Sequence, residues 1–309
     1  MKILFFGRGT IGTLYAWAFE NAGHTVEFYV REGRKMQYGS HVNLEIWDAR
    51  RSKRDRLVKE KWPIITHEEI KENHDYDLIF MSINPEQVSS AVHYLAPRVG
   101  SATVLFFNNF WQDPKAAVQP IPVSQIVFGF PGGGGGFEGN TLYGGVYKMV
   151  QFGTFESEPT KRDLEVRKLF AEAGFKIMVQ KDFQSWLWNH FALNVAMEVE
   201  VLKSGSFEKV ASSPEALAGI GHNMKEMIPV LKAKGSKLDV LTRVLSSLPP
   251  RVVGLLMSKV VFSPKSMAYA LVKHNHFKVG YAVQEVISEA REHGIKTPRL
   301  CAVESLITE

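Results

Sequence analysis

His190, Asn194 and Glu198 recur at intervals of four within residues 183–202, a stretch that is otherwise apolar around most of its circumference. That spacing places all three on one helical face. Burying such groups is costly unless each finds a partner, so the stripe is either a narrow solvated face or a set of groups that holds a polar ligand. A histidine in such a stripe is a group that can move a proton. An imidazolium is a competent acid near neutral pH, and a positioned general acid contributes about 10²–10⁴ in rate.

The first twelve residues, MKILFFGRGTIG, carry a second pattern with chemistry in it. An apolar run breaks into Gly7-Arg8-Gly9-Thr10-Ile11-Gly12. In such a turn Gly7 permits the tight bend, Gly9 lets the backbone close on a pyrophosphate, and Gly12 lets the next helix pack on the strand. The anion then sits at the helix N-terminus. Helical apolar spacing over residues 10–22, a stop at Gly23 and a β-rich run over residues 24–30 complete a βαβ unit. An NAD-preferring site carries an acid about 20 residues past the glycines, but here Arg31 stands there, followed by Arg34 and Lys35. A guanidinium forks onto phosphate, which favours NADP(H); the alternative is a solvated loop charge.

Positioning these groups requires an α/β first domain and a helical second one. Strand-like runs fall at residues 41–47, 57–66, 77–81, 103–107, 146–155 and 175–179, with helical spacing at 87–95 and 160–173. The charged residues 48–55 read as a solvated hairpin tip. Ligands collect at the carboxyl ends of strands in doubly wound sheets, which brings in Asn84 and either Asn108 or Asn109. Gly132 to Gly136 read as a mobile segment, either a lid or a flexible hairpin connection. Beyond residue 181 the pattern is helical throughout, which sets the expected domains at 1–181 and 182–309.

The 309 residues suffice for two domains, and 45% hydrophobic with 22% charged residues excludes disordered and collagen-like classes. A net charge of +5 without a dense basic stripe suits an anionic small molecule and gives no argument for nucleic acid. Cys301 is the only cysteine, so no internal disulfide forms. The N-terminal apolar run is too short for a signal peptide, and no run approaches the roughly 18 apolar residues of a membrane span. A cytoplasmic protein is expected. His274 and His276 lack a third ligand, so no metal is expected.

Taken together these residues resemble the ketopantoate reductase family, the NADPH-dependent enzymes that reduce 2-dehydropantoate. The resemblance rests on Gly7, Gly9 and Gly12, Gly23-His24, Arg31, the run Leu187-Trp188-Asn189-His190-Phe191 with Asn194, Ser266-Met267, and residues 290–298. It implies a Rossmann-type dinucleotide-binding domain followed by an all-α domain like the C-terminal part of 6-phosphogluconate dehydrogenase. It also implies that dimers form. The family's catalytic Lys falls on His190, its next Asn is kept as Asn194, and the one after becomes Glu198. Its substrate-contacting Glu falls on Lys278, Ser266 lies in the substrate half, and the cofactor-contacting Lys after the fourth strand becomes Asn84. The strand-end Asn is Asn108 or Asn109, so Asn109 is a candidate for both cofactor and substrate.

The cofactor half is thus largely kept and the substrate half rewritten. The expected activity is NADPH-dependent reduction of a 2-oxo acid or related carbonyl other than ketopantoate. His190 or Lys278 is the acid, and Asn194 orients the substrate. Aromatic density around His190 suits a bulkier substrate, or else belongs to the core. The alternatives are a non-catalytic NADP-binding sensor or partner-binding protein and, with an amine as co-substrate, an opine-type dehydrogenase. Residues 251–262 form an apolar helix suited to a dimer interface or to the core.

Overall fold

The computed structural model describes residues 1–263, 266–275 and 280–307. Two compact units divide the chain, Met1–Lys181 and Asp182–Glu309. The strands of the first are β1 (Lys2–Phe6), β2 (Thr25–Tyr29), β3 (His41–Asp48), β4 (Leu57–Pro63), β5 (Thr66–His67), β6 (Leu78–Met81), β7 (Thr103–Phe106), β8 (Ile126–Phe130), β9 (Gly133–Glu138), β10 (Thr141–Val146), β11 (Met149–Gly153) and β12 (Lys176–Val179). Its helices are α1 (Thr10–Glu20), α2 (Arg34–Tyr38), α3 (Val88–Leu95), α4 (Pro114–Ala117) and α5 (Lys161–Glu172).

The larger sheet runs β12-β11-β8-β7-β6-β1-β2-β5. Only the β11–β8 pairing in it is antiparallel. Strands β6 and β7 are buried at every position, which is why LIFM and TVLF read as continuous apolar runs rather than alternating ones. An aromatic core binds helix to sheet: Phe5 stacks on Phe80 at 4.8 Å, and Tyr15 of α1 meets Phe107 edge-on at 5.1 Å. Because β1 lies between β2 and β6, the chain changes direction there. The carboxyl end of β1 is therefore the topological switch point, where a ligand crevice opens.

The smaller sheet, β4-β3-β10-β9, overturns one sequence expectation. The glycine run is neither a lid nor a loose connection; it is strand β9, paired antiparallel with β10 from Gly133↔Val146 to Glu138↔Thr141. Close backbone approach explains the composition. A Cβ on Gly144 would lie 2.2 Å from the Gly134 carbonyl, and one on Gly145 would lie 2.2 Å from that of Trp47. Tyr15 fastens the start of the run, its hydroxyl accepting from the Gly132 N–H at 3.0 Å. The charged tip between β3 and β4 is exposed over residues 51–55, as expected, and is anchored at its base: Asp48 is buried and accepts from Arg50 Nε at 2.8 Å, while Arg50 Nη1 donates to the Ala173 carbonyl at 2.7 Å.

The second unit contains α6 (Phe183–Ser204), α7 (Phe207–Ser212), α8 (Pro214–Ala233), α9 (Val240–Ser247), α10 (Pro250–Val260), α11 (Met267–Lys273), α12 (Tyr281–Glu292) and α13 (Pro298–Cys301). Helix α6 starts on Asp182, whose carboxylate caps Ser185 N at 3.1 Å, and stops at Gly205 with φ 87°. Its C-terminal half is pinned by a buried polar cluster. The Glu200 carboxylate accepts from Asn223 Nδ2 at 2.9 Å and Arg299 Nη2 at 3.0 Å, and Gly219 leaves the space it occupies. Helices α9 and α10 bury Leu245, Val253 and Met257 and expose Val240, Leu241, Leu255 and Val260. Among the described residues no helix is long and apolar enough to cross a membrane.

Candidate functional site

A cavity of about 380 Å³ opens in the first unit at the carboxyl ends of β1, β2 and β6. Its floor is the glycine turn. Gly7 adopts φ 94°, a conformation that favours glycine, and a Cβ on Gly12 would stand 3.3 Å from the Gly7 carbonyl. Gly9 caps α1 without a side-chain bond, leaving the N–H groups of Thr10, Ile11 and Gly12 in the first turn, where a helix offers donors to an anion. The Ile11 side chain itself packs against the core. These features fit a pyrophosphate.

On one side of the cavity Tyr29 stacks on Tyr94 at 5.1 Å. Burial raises the Tyr29 phenol above its ordinary range, so this wall is neutral and flat at pH 7. On the other stand Arg31 and Arg34, both exposed and both lining the cavity. Arg34 donates to Gln37 at 2.7 Å; the Arg31 guanidinium makes no hydrogen bond or ion pair among the described residues. Arg8 is different. Its buried guanidinium lies between the rings of Tyr38 at 4.3 Å and Phe137 at 4.4 Å, and Nη2 donates to Asn140 Oδ1 at 2.9 Å.

Asn84, exposed at the end of β6, lines the same cavity, whereas neither Asn108 nor Asn109 does. Asn108 is buried and braces two strand ends, Nδ2 donating to the Ile83 carbonyl at 2.6 Å. Its Oδ1 and that of the half-buried Asn109 are buried without a hydrogen-bond partner, so each amide retains an acceptor for a ligand donor.

In the second unit the stripe on α6 grades from half-buried to buried. His190 and Asn194 are half-buried, and the His190 ring stacks on Trp186 at 5.3 Å with 9° between planes. Burial pushes the His190 imidazole down to about 4, against the opposing charge of Asp239. Hence the standing imidazolium expected from sequence is absent at pH 7, and the ring is neutral. The Asn194 side-chain amide makes no hydrogen bond among the described residues.

Glu198 is 3% exposed, and its Oε1 accepts from the Gly280 N–H at the start of α12. That geometry places it at a helix terminus, where a carboxylate offsets the helix dipole. Burial nonetheless raises it to about 7. Ser266 is likewise occupied: its hydroxyl accepts from Tyr269 N at 3.0 Å as the cap of α11 and donates to the Val261 carbonyl at 2.8 Å. Lys278 and His276 lie outside the described residues.

The two buried groups drive stability with pH in opposite directions. His190 favours folding while neutral, so its contribution is full above 6.5 and lost as pH falls toward 4. Glu198 favours folding while protonated, so its contribution is full below 4.5 and lost as pH rises through 7. Glu198→Gln, which keeps the acceptor for Gly280, is therefore expected to match the wild type near pH 4.5. At pH 8 it should be more stable by about 3 kcal/mol. Urea midpoints at the two pH values measure this; equal destabilisation at both would show that the charge is compensated.

Sequence reasoning missed Tyr29, Tyr38 and Tyr94 in the cavity, Phe137 and Asn140 against the Arg8 guanidinium, and Asn189 beside His190. Asn189 Nδ2 bonds the Ser185 and Lys237 carbonyls and Ser236 Oγ at 2.6, 2.9 and 3.1 Å, holding the segment that leads to Asp239. The tyrosines had a readable signal as apolar positions at a strand end and a helix face; Phe137 and Asn140 had none. Among the described residues no group of three or more His, Cys, Asp or Glu could hold a metal.

Residues 3–155 match the family sequence profile described as Ketopantoate reductase PanE/ApbA, and residues 182–309 match its companion, Ketopantoate reductase PanE/ApbA C terminal. The chain belongs to the ketopantoate reductase family. No curated protein matches it in sequence. Among solved structures it is similar to a PanE/ApbA family ketopantoate reductase from Ralstonia eutropha JMP134, with TM-score 0.76 and 16% identity over 99% of this chain and 97% of that one. A D-mandelate dehydrogenase bound to NADH and anilino(oxo)acetate gives TM-score 0.75 and 15% identity, again over 99% and 97%. A dimeric ketopantoate reductase from Staphylococcus aureus gives 0.71 and 13% over the same shares. At these identities the likeness is one of fold: ketopantoate reductases carry this α/β unit and helical unit, and the fold is that of oxidoreductases.

Proposed function

We propose that the protein is an NADPH-dependent reductase of a 2-oxo acid or related carbonyl compound, with a substrate other than ketopantoate. The observation that carries this reading is the cavity at the switch point, with a free helix N-terminus on its floor and arginines where an NAD-preferring site would carry an acid. Gly7, Gly9 and the N–H groups of residues 10–12 hold the pyrophosphate, Tyr29 and Tyr94 flank the adenine, and Arg31 takes the ribose 2′-phosphate. A bound reduced nicotinamide supplies hydride. The neighbours' NADH complex and 2-oxo acid analogue lend the reading support from related folds.

His190 supplies the proton. Neutral in the free protein, it gains protonated fraction when the substrate carboxylate enters its surroundings, because an opposite charge within a few ångströms raises a pKa of about 4 by about 1–3 units. Asn194 orients the substrate, and Lys278 binds the carboxylate or donates the proton itself. The dimer assembles through the exposed apolar side chains of α9 and α10.

Steady oxidation of NADPH across a panel of 2-oxo acids, ketopantoate included, tests the activity. On the accepted substrate His190→Ala should lower turnover by at least about tenfold with NADPH affinity unchanged. Unchanged turnover in His190→Ala together with loss in Lys278→Ala would assign the acid to Lys278. NADPH binding without turnover on any oxo acid would favour a nucleotide sensor.

A further inference from the structure

We propose that Arg8 selects the phosphorylated dinucleotide: its clamped guanidinium is a preformed receptor for the 2′-phosphate on the adenosine ribose. The proposal rests on the reading of the cavity as a dinucleotide site. Arg8 is 7% exposed, and both Nε and Nη1 are buried without a hydrogen-bond partner. No carboxylate pairs with it among the described residues. A buried cation in that state is unfavourable unless an anion arrives.

The same domain shows what a buried arginine with a purely structural role looks like. Arg50 also stacks on an aromatic ring, Phe175 at 4.7 Å, but Nε and Nη2 reach the Asp48 carboxylate at 2.8 and 2.9 Å and Nη1 reaches a carbonyl. Every edge of its fork is used. Arg8 uses one edge, on Asn140, and leaves Nε and Nη1 buried without a hydrogen-bond partner in a residue that lines the cavity.

The clamp identifies the phosphate. Tyr38 ends α2, the helix that begins at Arg34 just beyond β2, so Arg8 is held against the loop that carries Arg31 and Arg34. Phe137 and Asn140 close it from the β9–β10 hairpin. Arg31 and Arg34 are exposed and lose side-chain freedom on binding, whereas Arg8 is already fixed, so more of its interaction is retained as affinity.

Binding of NADPH and NADH by fluorescence, with adenosine 2′,5′-bisphosphate and adenosine 5′-monophosphate as competitors, tests this in wild type and Arg8→Met. NADPH and the bisphosphate should weaken by about tenfold or more, with NADH and the monophosphate within about twofold of wild type. Equal weakening of NADPH and NADH would assign Arg8 to the pyrophosphate and overturn the proposal, as would no change in either. If thermal unfolding shows that Arg8→Met does not fold, Arg8→Lys, which keeps the charge and loses the fork, is read the same way. Wild type that fails to prefer NADPH refutes the parent reading; wild-type preference retained in the variant refutes only the role of Arg8.

Discussion

Gly135→Ala should lower stability by about 3 kcal/mol or more, a large fraction of what holds a domain of this kind folded. Gly135 has φ +136°, and a Cβ there would lie 2.1 Å from the Tyr143 carbonyl oxygen and 2.5 Å from Gly144 Cα. Both obstacles are backbone, so no rotamer change relieves them. The neighbouring turn supplies the control: Gly139 also has positive φ, at +59°, but a Cβ there meets nothing within 4 Å. Gly139→Ala should therefore cost only about 1 kcal/mol, the conformational term alone. Urea unfolding separates the two, through a drop in midpoint with unchanged slope. Equal stability of the two alanine variants would mean that β9 and β10 are not in close backbone approach.

Arg31→Ala should raise the dissociation constant for NADPH by about tenfold or more and leave that for NADH nearly unchanged. A charge-assisted bond to phosphate contributes about 1.5–3 kcal/mol, and exposure of Arg31 places the effect toward the lower end of that range. No ion pair holds this guanidinium among the described residues, so its removal breaks nothing in the free protein. Fluorescence titration of both nucleotides against the variant is the check. A uniform loss for both would point to a disturbed loop rather than a lost phosphate contact.

What could be read in the sequence was local. The turn from Gly7 to Gly12 declares its geometry within six residues, and the observed β1–α1–β2 unit follows it. The buried strands β6 and β7 were legible as short apolar runs, and α6 as a long one. The glycine run misled because its composition signals entropy, whereas its cause is steric: the backbone of β10 passes too close to Gly133 and Gly135 for side chains, and Met149 too close to Gly132, and nothing in residues 132–136 records that. Arg8 was legible as a turn residue but not as a clamped cation, since Phe137 and Asn140 come from far along the chain.

On α6 the spacing of four correctly aligned three polar groups, but spacing does not reveal depth. His190 and Asn194 remain half-buried, while Glu198 is sunk onto the end of α12. The charge state of His190 was also beyond the sequence, because it depends on desolvation by neighbours rather than on residue type.

The most direct measurement is a fluorescence titration of the purified protein with NADPH and, separately, NADH. The arginines at the end of β2 require NADPH to bind at least about tenfold more tightly. Equal affinity for the two would contradict the phosphate reading of Arg31, and no binding of either would contradict the assignment of the switch-point cavity as a dinucleotide site.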